Sequence, residues 1–222
     1  MASNRRVGVS RSAEDYLKAI LQLEASEDGA TTGGLAERLG ISQPSVTAMT
    51  KKLAADGFVV RVPYRGVTLT RRGRRIALEV LRHHRLLELF LADSLGVPLD
   101  EVHAEAERLE HVLSEELEAR IDAALGYPTL DPHGDPIPDR KLRLDAPARR
   151  ALAEVAPGES ATVAGVPDRD AELLRYLATL ALLPGGAVKV VAHAPFGGPV
   201  TVRSSSGEHA IARELAVAIA VA

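Results

Sequence analysis

Residues 32–70, which read TGGLAERLGISQPSVTAMTKKLAADGFVVRVPYRGVTLT, decide the fold of the first part of the chain. Two short helical segments meet at Gly40, and two runs rich in β-branched residues follow at 58–62 and 67–70. An amphipathic helix is predicted upstream of them, at residues 11–25. The order helix, helix, glycine turn, helix and hairpin predicts a winged helix-turn-helix.

The helix that begins after Ser42 is the predicted reader of the DNA major groove. Its N-terminal half carries short polar side chains that can donate to phosphates or touch base edges, and basic side chains follow. Gln43 is the only long hydrogen-bonding side chain in its first two turns, so part of the specificity is expected from DNA shape. The predicted DNA contacts are Ser42, Gln43, Pro44, Ser45, Thr47, Thr50, Lys51, Lys52, Tyr64 and Arg65. A winged-helix module for protein interaction is the alternative.

Charge is distributed unevenly along the chain. Residues 1–75 carry 13 Lys and Arg against 7 Asp and Glu, whereas residues 76–140 carry 5 against 15. A basic first third suits a polyanion partner, and an acidic middle suits cations. The absence of cysteine excludes disulfides, cysteine-type zinc sites and thiol catalysis, and no apolar run reaches transmembrane length. These features predict a cytoplasmic protein with no membrane partner.

One long helix is predicted at residues 71–95, where Gly96 and Pro98 end it. The acidic middle then contains the segment HAEAERLEH, residues 103–111. If residues 99–117 form one helix, as their pattern predicts, two imidazoles and two carboxylates of this segment fall within an arc of about 100°. Such a stripe indicates a cation site on one helical face. A network of salt bridges is the alternative, and no His-Glu-x-x-His motif is present to suggest a metalloenzyme.

Beyond residue 148 the pattern changes to short β-rich runs separated by Gly and Pro turns. Runs at 187–192, 199–203 and 215–221, with one helix near 171–180, predict a small β-barrel. The predicted class is therefore α+β, with a winged helix-turn-helix at 1–72, a helical domain with a Pro-rich linker at 73–140, and a β-barrel domain at 141–222.

Several motifs together carry a family resemblance. They are SAEDYL (12–17), SQPSVT (42–47), YRGVTLT (64–70), HRLLE (84–88), EVHAEAERLEH (101–111) and DPHGDPIP (131–138). The chain resembles the diphtheria toxin repressor, or DtxR/MntR, family of metal-dependent regulators. The resemblance implies a helical domain for dimerisation and metal binding, an SH3-like (FeoA-like) C-terminal domain, and a homodimer that binds palindromic operators when loaded with Mn(II) or Fe(II).

The resemblance also implies two metal sites. The site that controls DNA binding would use Asp15, Glu107, Glu110 and His111. The ancillary site would use His84, Glu88 and His103. Asp170 is the nearest acidic match for a ligand from the C-terminal domain, and Glu172 and Asp168 are the alternatives.

The ligand types favour manganese. Iron-responsive relatives have Met and Cys where this chain has Asp15 and Glu107, and carboxylates are hard ligands that suit Mn(II). Two-domain manganese regulators carry a Glu at the position of Lys18, which indicates two separated sites here rather than a close pair of ions.

The predicted function is a manganese-dependent, non-enzymatic transcriptional repressor of metal-ion homeostasis genes. Its cofactor would be Mn(II), with Fe(II) as the alternative ion and Zn(II), Co(II) or Cd(II) as surrogates. Its partners would be double-stranded operator DNA and a second copy of the chain, with no small-molecule substrate. A DNA-binding scaffold whose ion is only structural is the remaining alternative.

Overall fold

The computed structural model describes residues 9–24, 28–62, 66–145, 147–168 and 170–222. The described residues form two compact units. The first unit contains the chain up to His84 together with Leu109–Arg120 and Pro138–Leu144, and the second contains Arg85–Arg108, Ile121–Ile137 and Asp145–Ala222. Among the described helices, none combines the length and the apolar character needed to cross a bilayer.

The first unit begins with the predicted winged helix-turn-helix. Its elements are α1 (Arg11–Leu23), α2 (Thr32–Leu39), α3 (Gln43–Ala55), β1 (Val59–Val62) and β2 (Gly66–Leu69). The Ser42 side chain accepts the backbone N–H of Ser45 and so caps α3 as expected. Strands β1 and β2 pair antiparallel, with Val59 opposite Leu69. The fold predicted for this segment is confirmed.

Close packing determines the residue at the start of β2 and the position of α1 in the first unit. Gly66 has φ +83°, and a Cβ built there would lie 2.0 Å from the carbonyl oxygen of Ala30, so only glycine fits. Leu17 and Ile20 of α1 are fully buried in one core with Leu35 of α2. This core holds α1 against the DNA-reading part of the unit.

Three helices follow, α4 (Arg71–Leu95), α5 (Val102–Leu109) and α6 (Glu115–Ala124). The bounds of α4 match the expectation, but the single helix predicted over 99–117 is wrong. The hydroxyl of Ser114 accepts the backbone N–H of Leu117 at 3.2 Å and starts a new helix. A serine followed by acidic residues stabilises a helix N-terminus, which competes with continuing the earlier helix. Glu110 and His111 therefore lie in a turn and not on a continuous helical stripe.

The C-terminal part of the second unit is the expected small β domain. It contains β3 (Arg150–Ala151), β4 (Ser160–Gly165), α7 (Ala171–Thr179), β5 (Ala187–His193), β6 (Val200–Ser204), β7 (Gly207–Ile211), α8 (Arg213–Ala218) and β8 (Ala220–Val221). The strand order is β3-β8-β4-β5-β6-β7, with every pair antiparallel. Its core includes Leu152, Val190 and Ile219.

The strand predicted at residues 215–221 is confirmed only at its end, where Ala220–Val221 form β8. Residues 215–221 alternate large apolar side chains with alanine, which resembles a strand, yet α8 occupies most of the run. Ala216 and Ile219 are both fully buried and lie three residues apart, whereas Val217 is exposed. Burial of one helical face has therefore overridden the apparent alternation.

Candidate metal centres and DNA-binding surface

The first candidate centre joins α1 to the turn that follows α5, inside the first unit. Asp15, Glu110 and His111 each offer one ligand atom, and these atoms lie within 4.8 Å of one another. His111 Nε2 is 2.8 Å from Asp15 Oδ1 and 3.4 Å from Glu110 Oε1. We call these three residues the α1 cluster. Its carboxylate oxygens and imidazole nitrogen form a donor set that suits Mn(II) and similar divalent cations.

A fourth residue, Glu14, orients the ring of His111. Its Oε2 is 2.7 Å from His111 Nδ1, which leaves Nε2 facing Asp15. Burial by itself lowers the pKa of His111, but the hydrogen bonds with Asp15 and Glu14 outweigh it and raise that pKa to about 9. A cation at Nε2 must therefore replace a proton. Sequence reasoning missed Glu14, whose only signal was its position next to Asp15.

Glu110 is fully buried and closely surrounded by donors. Lys18 Nζ donates to Glu110 Oε1 at 2.7 Å and to Oε2 at 2.8 Å, and the Lys18 side chain is 5% exposed. His84 Nδ1 lies 2.6 Å from Glu110 Oε2. Glu110 therefore connects α1, α4 and the turn after α5 within the first unit.

The second candidate centre lies in the second unit and contains two residues that sequence reasoning left outside the sites. Glu88, Asp131 and His133 are buried, and one ligand atom from each lies within 4.8 Å of the others. We call them the buried cluster. The DPHG stretch that carried the family resemblance was the signal for both Asp131 and His133.

Two buried polar atoms of the buried cluster suit a cation. Among the described residues, Asp131 Oδ2 and His133 Nδ1 are buried without a hydrogen-bond partner, although Arg85 Nε lies 3.5 Å from the former. Buried polar atoms are nearly always satisfied, so two orphaned atoms that face one cluster suggest a ligand. Burial and the nearby charges of Glu88 and Asp135 raise the pKa of Asp131 to about 8. A divalent cation would neutralise this repulsion.

The predicted ancillary ligands divide between the units. In the second unit, His103 Nδ1 is 3.0 Å from Glu88 Oε1, and His103 Nε2 is 3.8 Å from Glu107 Oε1. His84 belongs to the first unit and precedes Glu88 by one turn of α4. The assignment of His84, Glu88 and His103 to one site, and of Glu107 to the site of Asp15, stays a prediction.

Asp170 has a local structural role in the second unit. Its Oδ1 accepts the backbone N–H groups of Glu172 and Leu173 at 2.9 and 3.0 Å and so caps α7. None of the groups of potential metal ligands formed by the described residues includes it. A ligand role for Asp170 stays a prediction, and Asp131 offers the buried cluster an acidic ligand within the second unit.

Helix α3 and its N-cap residue carry most of the predicted DNA contacts. The exposed members are Ser42, Gln43, Pro44, Ser45, Lys51 and Lys52, and Thr47 is half-buried. Thr50 differs, because it is buried and its hydroxyl donates to the carbonyl of Val46 at 2.9 Å. We therefore leave Thr50 out of the contact set. Tyr64 and Arg65 lie outside the described residues.

Three family models match successive parts of the chain. A model described as "Iron dependent repressor, N-terminal DNA binding domain" matches residues 9–67. A second, "Iron dependent repressor, metal binding and dimerisation domain", matches residues 70–139, and a "FeoA domain" model matches residues 150–222.

Individual relatives extend this similarity to nearly the full length. The iron-dependent repressor IdeR of Mycobacterium bovis is 44% identical over 127 residues, which cover 56% of this chain and 54% of that protein. The chain thus spans about half the length of the first curated relatives that it matches. IdeR of Mycobacterium leprae is 35% identical over 223 residues, covering 94% of this chain and 95% of that protein.

A solved structure described as a manganese-dependent transcriptional repressor in complex with manganese superposes with a TM-score of 0.86. It is 42% identical, and the match covers 94% of this chain and 98% of the other. These relatives are named as repressors, which supports the prediction that the chain is not an enzyme. By its successive domains and its near-full-length relatives, the chain belongs to the DtxR/MntR family of metal-dependent repressors.

Proposed function

We propose that this protein is a manganese-dependent transcriptional repressor that binds palindromic operator DNA as a homodimer and controls metal-ion homeostasis genes. The observation that carries the proposal is the α1 cluster. It brings Asp15, on the first helix of the winged domain, to within 2.8 Å of His111, in the turn after α5.

The side chains around this cluster support metal-controlled DNA binding. A bound divalent cation would supply two positive charges shared by Asp15, Glu110 and His111. Asp15 would bind from α1, Glu110 and His111 from the turn, and Glu14 would keep the imidazole in its binding orientation. Because α1 packs on α2, and α2 on α3, a fixed α1 constrains the helix that reads DNA.

The choice of ion follows from the donor atoms. Both clusters offer oxygen and nitrogen ligands, which suit Mn(II), while Mn(II) lies at the weak end of the divalent affinity series. Selectivity is therefore expected from coordination geometry rather than from tightness. Fe(II) is the second candidate, since similar proteins are named for iron as well as for manganese. Zn(II), Co(II) and Cd(II) are expected to bind as surrogates.

The test is fluorescence anisotropy of the chelator-treated protein with labelled DNA from upstream of candidate metal-transport genes. Mn(II), anaerobic Fe(II) and Zn(II) are titrated separately at fixed salt, because DNA affinity depends strongly on salt. We expect binding to appear with Mn(II), to be weaker with Zn(II) at matched occupancy, and to vanish with chelator. Asp15→Ala should abolish the Mn(II) response with the fold intact.

Three results would redirect the proposal. Unfolding of the protein in chelator would favour a scaffold with a structural ion. DNA binding that is indifferent to metal, in a protein that stays folded, would also argue against metal control. Stronger binding with Fe(II) than with Mn(II) would favour the iron-dependent alternative. Circular dichroism of the chelator-treated protein separates loss of fold from loss of DNA binding.

A further inference from the structure

Lys18 places a positive charge inside the α1 cluster. Its ammonium donates to both oxygens of Glu110, at 2.7 and 2.8 Å, and both side chains are shielded from solvent. One of these oxygens, Oε1, also faces His111 Nε2 at 3.4 Å. The ammonium therefore sits on the oxygen that points toward the other candidate ligands.

A lysine in this position opposes a divalent cation in two ways. It engages the carboxylate that the cation would use, and its charge repels a second positive charge in a poorly solvated place. A buried carboxylate without a charged partner is strongly destabilising, and beside His84 and His111 either this ammonium or a metal ion can supply the positive charge to Glu110. Lys18 and a metal ion thus satisfy the same requirement.

We propose that Lys18 is an internal counter-ion that competes with the metal for Glu110 and thereby sets the metal concentration at which the α1 cluster fills. Binding of a cation exchanges one charged partner of Glu110 for another. Glu14, one turn before Lys18 on α1, offers a carboxylate at the spacing that favours a helical Glu–Lys pair. The proposal rests on metal binding at the α1 cluster, as set out above.

The exchange makes two opposite predictions for a neutral substitution. Lys18→Gln keeps a hydrogen-bond donor near Glu110 but removes the competing charge. The chelator-treated variant should therefore be less stable than the unchanged protein, whereas its affinity for Mn(II) should rise by at least about tenfold, which corresponds to about 1.4 kcal/mol. If Lys18 had only a structural role, Lys18→Gln would lower the stability equally with and without metal. It would leave the affinity for Mn(II) unchanged.

The experiment measures two quantities on the full chain. Mn(II) dissociation constants come from competition with a fluorescent chelator, and thermal midpoints are recorded with chelator and with saturating Mn(II). The expected result for Lys18→Gln is a lower midpoint with chelator, a larger rise on adding Mn(II), and tighter binding. Lys18→Arg, which keeps the charge, should resemble the unchanged protein in both quantities.

Matched controls assign the effect to the site. Arg74→Gln removes a more exposed ion pair with Glu24, at the end of the same helix, and should leave Mn(II) affinity unchanged. Asp15→Asn shows which bound Mn(II) ion responds to the charge at position 18. The ion that is lost in Asp15→Asn should be the one that binds more tightly in Lys18→Gln. Unaltered Mn(II) affinity in Lys18→Gln overturns the counter-ion proposal. So does a Lys18→Gln protein that stays unfolded even in Mn(II), because the ion should replace the lost charge.

These outcomes are separate from those that test the proposed function. If Asp15→Asn binds Mn(II) as tightly as the unchanged protein does, the metal site itself is contradicted. Mn(II) binding that depends on Asp15 but not on the charge at position 18 would contradict only the role of Lys18.

Discussion

At the scale of single residues, the two ring nitrogens of His111 are directed at different carboxylates. Glu14 faces Nδ1 and Asp15 faces Nε2, so the ring is oriented by one acid and presented to the other. A carboxylate on the far side of a metal-binding imidazole raises its basicity and fixes its tautomer. Glu14 is therefore expected to tune metal affinity without touching the ion.

Glu14→Gln tests this expectation. We expect the affinity for Mn(II) at the α1 cluster to fall by about 10-fold to 100-fold, because the ring loses its charged partner but keeps Nε2 available. Equilibrium titration with Mn(II) measures the change. Glu37→Gln, which alters an exposed acid on α2, is the control and should leave the affinity unchanged.

Asp131→Asn separates metal binding from folding at the buried cluster. The amide keeps the oxygen that accepts the backbone N–H groups of His133 and Asp135, at 2.9 and 2.8 Å. It can no longer ionise beside Glu88 to bind a cation, as the carboxyl group of Asp131 can. We expect one equivalent of Mn(II) to be lost in elemental analysis after dialysis. Urea denaturation in chelator should show no loss of stability, and a large loss would assign Asp131 a purely structural role.

At the scale of elements, α6 is tied to α4 by a cluster of ions that contains no proposed metal ligand. Glu118 Oε1 accepts from Arg82 at 2.6 Å, and Glu118 Oε2 lies 3.0 Å from His83 Nε2. Burial raises the pKa of Glu118, but the hydrogen bonds and charges of His83 and Arg82 outweigh it and leave the pKa below 4.5. The ionised form of Glu118 is thus stabilised by folding.

Glu118→Gln should lower the free energy of unfolding by about 2 kcal/mol at neutral pH, because charged hydrogen bonds to buried donors are lost. A carboxyl group whose pKa is depressed on folding stabilises the protein above its unfolded pKa and loses this effect as the pH falls through the folded value. The difference between variant and wild type should therefore be constant above pH 4.5 and shrink below it. Urea denaturation across this pH range provides the measurement. Glu116→Gln, at an exposed ion pair of the same helix, should change stability little.

Elements whose ends are marked by Gly or Pro could be predicted from the sequence. Elements whose ends depend on packing or on a side-chain cap could not. Helix α4 was predicted to its ends because an apolar period runs unbroken up to Gly96 and Pro98. The break between α5 and α6 has no Gly or Pro to mark it and depends on the cap at Ser114. The sequence predicts a strand in place of helix α8, because large apolar side chains alternate with alanine there. That pattern does not show which helical face packing buries.

The candidate sites follow the same division. Asp15, Glu110 and His111 were named through the family resemblance, and the structure places them together. Glu14 and His133 were missed, because their proximity to the other residues depends on tertiary packing. Lys18 was noted as a departure from shorter relatives, but its contact with Glu110, 92 positions away, required the structure.

At the scale of the whole molecule, the proposed homodimer presents two copies of α3 to a palindromic site. Half-sites about 34 Å apart would place both recognition helices on one face of the DNA. The exposed lysines at the middle of α3, Lys51 and Lys52, then contribute to phosphate binding without reading sequence.

Lys51→Ala should weaken Mn(II)-dependent binding to all DNA sequences by similar factors. It should also reduce the slope of log affinity against log salt by about 1 for each subunit, because one phosphate contact is lost. Gln43→Ala, by contrast, should reduce the difference in affinity between operator DNA and random DNA. Anisotropy titrations at several salt concentrations distinguish the two effects, and a Lys51→Ala slope equal to that of the unchanged protein would contradict the phosphate contact.

The α1 cluster and the buried cluster use only carboxylate oxygens and imidazole nitrogens. Thiolate ligands pass through sulfenic, sulfinic and sulfonic acids under peroxide and lose their metals on the way, whereas carboxylates and imidazoles lie outside that series. The proposed sites should therefore retain their ligands under an oxidant that destroys a thiolate sensor. During oxidative stress, such a protein would continue to report the supply of divalent metal, independently of the thiol–disulfide balance around it.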